Sequence, residues 1–264
     1  MEHPWHPRGA PWFVYLAVLA VTLQVKDWNA WTYVPLKVVQ AAVVCYLVWR
    51  FRRLVPEITL WFHGSVVPVS AFLAVGWVAL NTWTAKLFPQ LVDAKPTFFE
   101  TLATDHQSLF WLAAIAHLMA MCTAVPLIEE TFNRSLLLRS ISDVRATGIG
   151  ILQMLCDMPI IGDWLARTTA GVRARQEPPA FGDQFQKTPL GHLSVFGVTA
   201  STTLFMLVHA TVDWPGAILC GLTWCVLLNR TRHLGLGPVI WSHAIVNLLL
   251  WIYAVTAKDF RLLP

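Results

Sequence analysis

The chain has 264 residues, 56% of them hydrophobic and only 13% charged, and its mean hydropathy is +0.55. A soluble domain carries about a quarter charged residues, so the composition excludes an ordinary water-soluble globule and points to one polytopic membrane domain over residues 1–264. The net charge of +4 comes from Lys and Arg at the ends of apolar segments rather than from one patch, which is the pattern of topogenic cations and not of nucleic-acid binding.

A membrane helix needs about 20 mostly apolar residues. Runs of that kind predict an all-α bundle of seven spans, with room for an eighth: residues 11–25, 33–49, 60–83, 110–139, 191–211, 214–228 and 238–257. Pro35, Pro68 and Pro126 fall where a helix would begin or kink. Between Ser140 and Leu190 the apolarity breaks up. Asp143, Arg145, Asp157, Asp163, Arg167, Arg173, Arg175 and Glu177 interrupt it, and Pro178-Pro179 marks a loop. The run 149–161 is too short to span and reads as an interfacial or partly buried segment.

Arg50, Arg52 and Arg53 mark the loop after the second span as cytoplasmic, and Arg230 and Arg232 do the same before the last. With seven spans these agree: the N-terminus lies inside, the C-terminus outside, and residues 140–190 inside. The first apolar run is long and no A-x-A-like site follows it, so no cleavable signal peptide is expected. The five cysteines form no C-x-x-C, which predicts packing roles rather than disulfides or a thiolate zinc site. Several of the 14 Trp, among them Trp12, Trp28, Trp31, Trp49, Trp61, Trp83 and Trp214, fall at segment ends, where aromatic belts lie. The bland reading covers His117 as packing, His63 and Asn81 as ends of the third span, and Asp213 as the start of a turn.

Three pairs at i, i+4 stand out inside the apolar runs: Glu130 with Arg134, Phe205 with His209, and His243 with Asn247. That spacing puts both members on one helix face. An ionisable group in a bilayer costs roughly 3 kcal/mol or more, so a chain that carries several must pair them or use them. Glu130 can pair with Arg134, which leaves the adjacent Glu129, about 100° away on a helix, free to face a cavity. There it can act as general base toward water. Asn247 can hold an imidazole or donate to a developing oxyanion. Each pair alone also fits helix–helix hydrogen bonding or a solvated helix end. A proton-coupled transporter would use the same residue types, although no hydropathy repeat relates the two halves. A non-catalytic scaffold of a sorting system would retain the fold alone.

EETFNR at 129–134, FMLVH at 205–209 and HAIVN at 243–247 resemble, in order, the E-E-x-x-x-R, F-x-x-x-H and H-x-x-x-N motifs of the CAAX-processing and bacteriocin-processing (CPBP) intramembrane proteases. The resemblance covers about 118–253, with a segment at about 140–190 that makes the gap between the first two motifs unusually long. YVPLKVV, RFRRLVPE and IVNLLLWIYAV look like a bacterial CAAX-protease-related subgroup, some members of which accompany exosortase-type sorting systems. The resemblance implies a glutamate-dependent endopeptidase of the bacterial inner membrane, acting on a membrane-associated protein or peptide. It implies that Glu129 is the general base, that His209 positions the water, that His243 and Asn247 stabilise the oxyanion, and that Glu130, Arg134 and Phe205 support them. No cofactor is implied. No H-E-x-x-H supports a zincin site, although Glu129, His209 and His243 are a conceivable zinc set. Water is expected to enter from the cytoplasm. On simple span counting His209 falls at the far end of its helix from Glu129 and His243, which a tilted fifth helix or a deep cavity would reconcile.

Overall fold

The computed structural model describes residues 5–25, 30–92 and 97–263 of the chain, the side chains of Val25 and Ala30 apart. Among the described residues all regular structure is helical. In chain order these are α1 (Trp5–Val25), α2 (Ala30–Phe51), α3 (Val66–Leu87), α4 (Phe98–Asp105), α5 (Gln107–Cys122) and α6 (Ala124–Glu130). A π-helical turn follows at Thr131–Leu137, then α7 (Leu138–Ser140), α8 (Val144–Cys156), α9 (Ile161–Leu165), α10 (Thr169–Gln176), α11 (Ala180–Lys187), α12 (Val195–Leu207), α13 (Trp214–Thr231) and α14 (Gly237–Ala257).

Five segments are long and apolar enough to cross a membrane: Trp31–Phe51, Val66–Leu87, Gln107–Ser140, Thr211–Leu234 and Gly237–Ala257. The protein is therefore a multi-pass helical bundle. Two expected spans differ from this set. α1 has 21 residues but carries Arg8 on a buried face. The fifth expected span, 191–211, holds a helix of only 13 residues, about 20 Å at 1.5 Å per residue, well short of a hydrocarbon core of about 30 Å. The third begins at Val66 rather than residue 60, so His63 lies in the loop before it, bonded to Ser65, and Asn81 is buried within it. Segment 149–161 does not span: α8 has 13 residues and stops at Cys156.

α3 packs along α14 and α13, α12 along α13, α1 along α2, and α5 against α2 and α14. α13 comes close to its neighbours through small residues, the usual device where helices meet in a membrane. A Cβ on Gly216 would lie 2.7 Å from the Trp77 ring of α3, and one on Gly221 would lie 2.8 Å from Thr202 of α12. The central core gathers Leu73, Trp77, Phe205, Trp224, Val239 and Leu250. Phe72, Val75, Trp83 and Leu112 stay exposed on the outer faces, as lipid contact requires. Of the Trp expected in belts, Trp31, Trp49, Trp61 and Trp83 are exposed, and Trp28 lies outside the described residues. Trp12 is instead buried, stacked on Phe132 at 5.5 Å.

At the end of the bundle that carries Arg50, Arg52 and Arg53, a cluster of charges ties four segments together. Arg8 of α1 makes a two-pronged contact with Glu57, Nε to Oε1 at 2.7 Å and Nη2 to Oε2 at 3.0 Å. Ser135 of the π turn also donates to Glu57. Arg139 lies 3.8 Å from the same carboxylate and stacks on Phe185 of α11 at 3.8 Å. Burial alone would raise the Glu57 carboxyl, but the hydrogen bonds and charge of Arg8 and the Ser135 hydroxyl hold it below the usual carboxylate range. A depressed carboxyl contributes stability above its unfolded pKa, about 4.3, and loses it as the pH falls through the folded value. Acid should therefore loosen this end of the bundle. Glu57→Gln is expected to lower stability at neutral pH by about 3 kcal/mol, since it strands buried Arg8. It should also flatten the acid limb of the thermal unfolding midpoint measured in detergent between pH 3 and 7.

Candidate active site

The first motif sits on a broken helix. α5 stops at Cys122, and Thr123 leaves the helical region at φ −120°, ψ −71°. Pro126 explains the break, because its ring cannot accept a helical carbonyl four residues earlier. α6 then carries Glu129 and Glu130, and the π turn carries Asn133 and Arg134. A π turn is rare and is frequently found at functional sites. Side chains add to its backbone ladder: Asn133 Nδ2 donates to Glu129 O at 3.0 Å, and Thr131 Oγ1 donates at 2.6 Å to Leu127 O, which also accepts the Thr131 backbone N–H. Ser201 of α12 donates to Asn133 O at 3.0 Å, which fixes α12 against the turn. The expected i, i+4 face of an ordinary α-helix is thus a junction between two helix types.

Arg134 is fully buried and reaches Glu130, Nε to Oε2 at 3.5 Å, as the spacing predicts. Its guanidinium also lies 5.2 Å from the Phe205 ring centre and 5.9 Å from that of Trp224. The other oxygen of Glu130 lies 2.8 Å from His243 Nδ1. His243 Nε2 in turn faces Glu129 Oε2 at 3.8 Å. Trp224 stacks on the His243 ring, with centres 4.3 Å apart and planes 23° apart. A continuous polar chain therefore runs Arg134, Glu130, His243, Glu129 through the core. Among the described residues Glu129 Oε2 has no hydrogen-bond partner.

His209 lies just past the C-terminal end of α12, in the turn before α13. Its Nδ1 is 2.8 Å from Phe205 O. A carbonyl only accepts, so Nδ1 carries the proton and Nε2 of the neutral ring is an acceptor. Phe205 is the hub that collects the histidines: its ring centre is 4.7 Å from His209 and 6.2 Å from His243. The Phe205 ring thus lies between the turn after α12 and His243 of α14.

Asn247 does not hold an imidazole. Its Nδ2 donates to Met121 O at 2.7 Å, which leaves one amide N–H. Asn247 and His209 line a cavity together with Trp77, His117, Asp213 and the tail residues Leu262 and Leu263, whereas Glu129 and His243 do not line it. Water centres can occupy about 60 Å³ of it, against about 10–15 Å³ needed for one water. Asp213 and the tail place this cavity toward the end of the bundle opposite Arg50, Arg52 and Arg53. Among the described residues no group of three His, Cys, Asp or Glu side chains is arranged to hold a metal ion, Glu129, His209 and His243 included.

Three participants escape sequence reasoning. Asp213 is buried and accepts from Asn81 Nδ2 at 2.6 Å and Trp77 Nε1 at 3.2 Å, so it anchors the turn behind His209. His117 is not mere packing, since its Nδ1 meets Tyr33 OH at 3.0 Å. Trp224 has no motif partner within its own helix. Only the adjacency of Asp213 to the second motif offers a sequence signal.

Glu130→Gln removes the charge that both Arg134 and His243 rely on, and it is expected to destabilise the fold by about 3–5 kcal/mol. Asn247→Ala, which deletes one bond to Met121 O, should cost only about 1 kcal/mol. Thermal midpoints of the two variants in the same detergent check the order.

Residues 110–249, just over half of the chain, match the model of the Rce1-like family, type II CAAX prenyl endopeptidase Rce1-like. No curated protein and no solved structure matches the chain. The match takes in the broken helix, the His209 turn and the His243 helix, and the chain belongs to the Rce1-like, type II CAAX prenyl endopeptidase family.

Proposed function

We propose that the protein is a glutamate-dependent intramembrane endopeptidase that hydrolyses a peptide bond of a membrane-associated protein or peptide. The observation that carries this reading is the buried chain from Arg134 to Glu129, set beside the His209 and Asn247 cavity. Glu129 Oε2, buried and without a hydrogen-bond partner among the described residues, takes the proton of the attacking water. His209 accepts a hydrogen bond from the same water through Nε2, because Nδ1 is committed to Phe205 O. The remaining Asn247 N–H donates to the oxyanion. His243 contributes there only as imidazolium, since its Nδ1 is taken by Glu130, and two carboxylates flank the ring in that form. Arg134 and Glu130 orient His243 and do not touch the substrate.

Membership of a protease family and the run of membrane helices support peptidase activity at a bilayer. The Arg-rich loops support an orientation with that end in the cytoplasm. On that orientation the cavity faces the opposite side, so entry of water from the cytoplasm, the expectation from sequence, gives way to entry from the far side. The donor set supports activation of water by side chains alone.

Glu129→Gln and His209→Ala are each expected to lower cleavage by about 10²–10⁴-fold, the usual contribution of a positioned acid–base group, at wild-type protein levels. Mass spectrometry of membrane-protein and secreted-peptide termini, in cells with the wild-type chain or either variant, reads this directly and identifies the substrate. Termini unchanged between wild type and both variants would overturn the reading.

A further inference from the structure

The segment between Ser140 and Leu190 takes no part in the site just described, yet it is built with care. α8 turns Thr147, Gly150 and Cys156 inward, toward α10 and α11. Val144, Ile151 and Met154 remain exposed on the other side, and the stripe continues to Met158 in the turn beyond the helix. The steps of seven and three residues keep Val144, Ile151 and Met154 on one face of α8.

The turn itself is strained. Ile160 sits at φ 70°, the left-handed region that a β-branched residue avoids. Its side chain is 83% exposed, so no packing inside the protein accounts for the conformation. The turn is nonetheless braced. Arg175 Nη2 donates to Cys156 O at 2.8 Å and reaches Gly162 O at 3.4 Å. A Cβ on Gly162 would lie 2.2 Å from Cys156 O, so only glycine lets the chain close there. Ile161 and Trp164 follow, also exposed. A rigid knuckle thus presents Met158, Ile160, Ile161 and Trp164 outward.

Chain connectivity identifies what covers this face. α8 begins four residues after Ser140, where the long apolar segment Gln107–Ser140 ends. Four residues reach at most about 14 Å, so α8 starts at the level of a span end. The segment returns at Val195, whose side chain is 88% exposed at the start of apolar α12. The segment that bears the apolar stripe is therefore tethered at both ends to apolar helices, and the stripe's own start lies at a span end, with exposed Arg145 and Arg167 at its margins. We infer that α8 and the Met158–Trp164 turn form an interfacial anchor, seated in the bilayer where acyl chains meet headgroups. Arg139, just beyond the π turn, donates to Thr188 O at 2.8 Å and to Phe185 O at 3.0 Å at the end of α11, and α11 packs on α8, so the anchor is linked through α11 to the segment that carries the first motif. It sets the depth of that helix against the membrane surface.

The test uses the full chain with Cys45 and Cys122 replaced by Ala, carrying Ile160→Cys or, as control, Gln176→Cys on the exposed side of α10. Each is labelled with an environment-sensitive fluorophore and placed in phosphatidylcholine vesicles. Equal thermal midpoints establish that both labelled chains are folded. The label at 160 should emit at shorter wavelength than the control. It should lose most of its emission to lipids brominated along the acyl chain and resist aqueous iodide, with the reverse at 176. Iodide quenching at 160 equal to that at 176 overturns the inference. So does a label that is wet in pure lipid and shielded only in native membranes, because its cover is then a protein.

Discussion

The constraint on which the rest of the structure depends is that Arg134, fully buried in a membrane bundle, must be neutralised by groups the protein itself supplies. An unpaired guanidinium at such a depth is not tolerated, and lipid offers no counter-charge. Glu130 is the answer, and everything near it is arranged to keep that carboxylate in place. One oxygen faces Arg134 and the other faces His243. The rings of Phe205 and Trp224 line the cation and both imidazoles. Because this ion pair fixes His243 from behind, the ring can present only its Nε2 to Glu129. The Glu129–His243 contact inherits its geometry from the buried ion pair behind it.

Backbone irregularity serves the same end. A straight helix from Gln107 to Ser140 would carry Glu129, Glu130 and Arg134 on a regular spiral. The break at Thr123 and the π turn at 131–137 swing Glu130 and Arg134 into line with α13 and α14 instead. Non-helical backbone at membrane depth survives only where protein groups satisfy it. Here the backbone ladder continues through the turn, and the side chains of Asn133, Thr131 and Ser201 add hydrogen bonds to its carbonyls. At the far end of the motif the Glu57 cluster clamps Ser135 and Arg139, so the irregular stretch is pinned on both sides.

The architecture was legible where the physics is local and one-dimensional. Hydropathy marked α2, α5 through α7, and α14 within a few residues, because lipid exposure selects apolar side chains one by one. It overran α12, since 191–211 is apolar beyond the helix itself and the stop at Leu207 comes from the turn that Asp213 anchors. It also started α3 too early, at Leu60, because an exposed apolar loop at a membrane surface reads like a span. Of the site, the i, i+4 motif pairs were legible because each lies within one short segment. The link from Glu130 to His243, the turn of Asn247 toward Met121 O and the roles of Asp213 and Trp224 were not. They are contacts between helices, and no spacing within one helix encodes them. Pro126 signalled a kink, but the π turn left no mark that residue type alone reveals.

The shortness of α12 has a consequence for the lipid around it. Its Val195, Leu204 and Leu207 are exposed apolar side chains, yet the helix is about 10 Å shorter than a typical hydrocarbon core. Such a hydrophobic mismatch is absorbed by thinning of the neighbouring leaflets, at a fraction of a kcal/mol per Å. A bilayer around the protein is therefore expected to thin beside the turn that bears His209. Headgroups, and any polypeptide tethered among them, are lowered toward the plane of the polar chain.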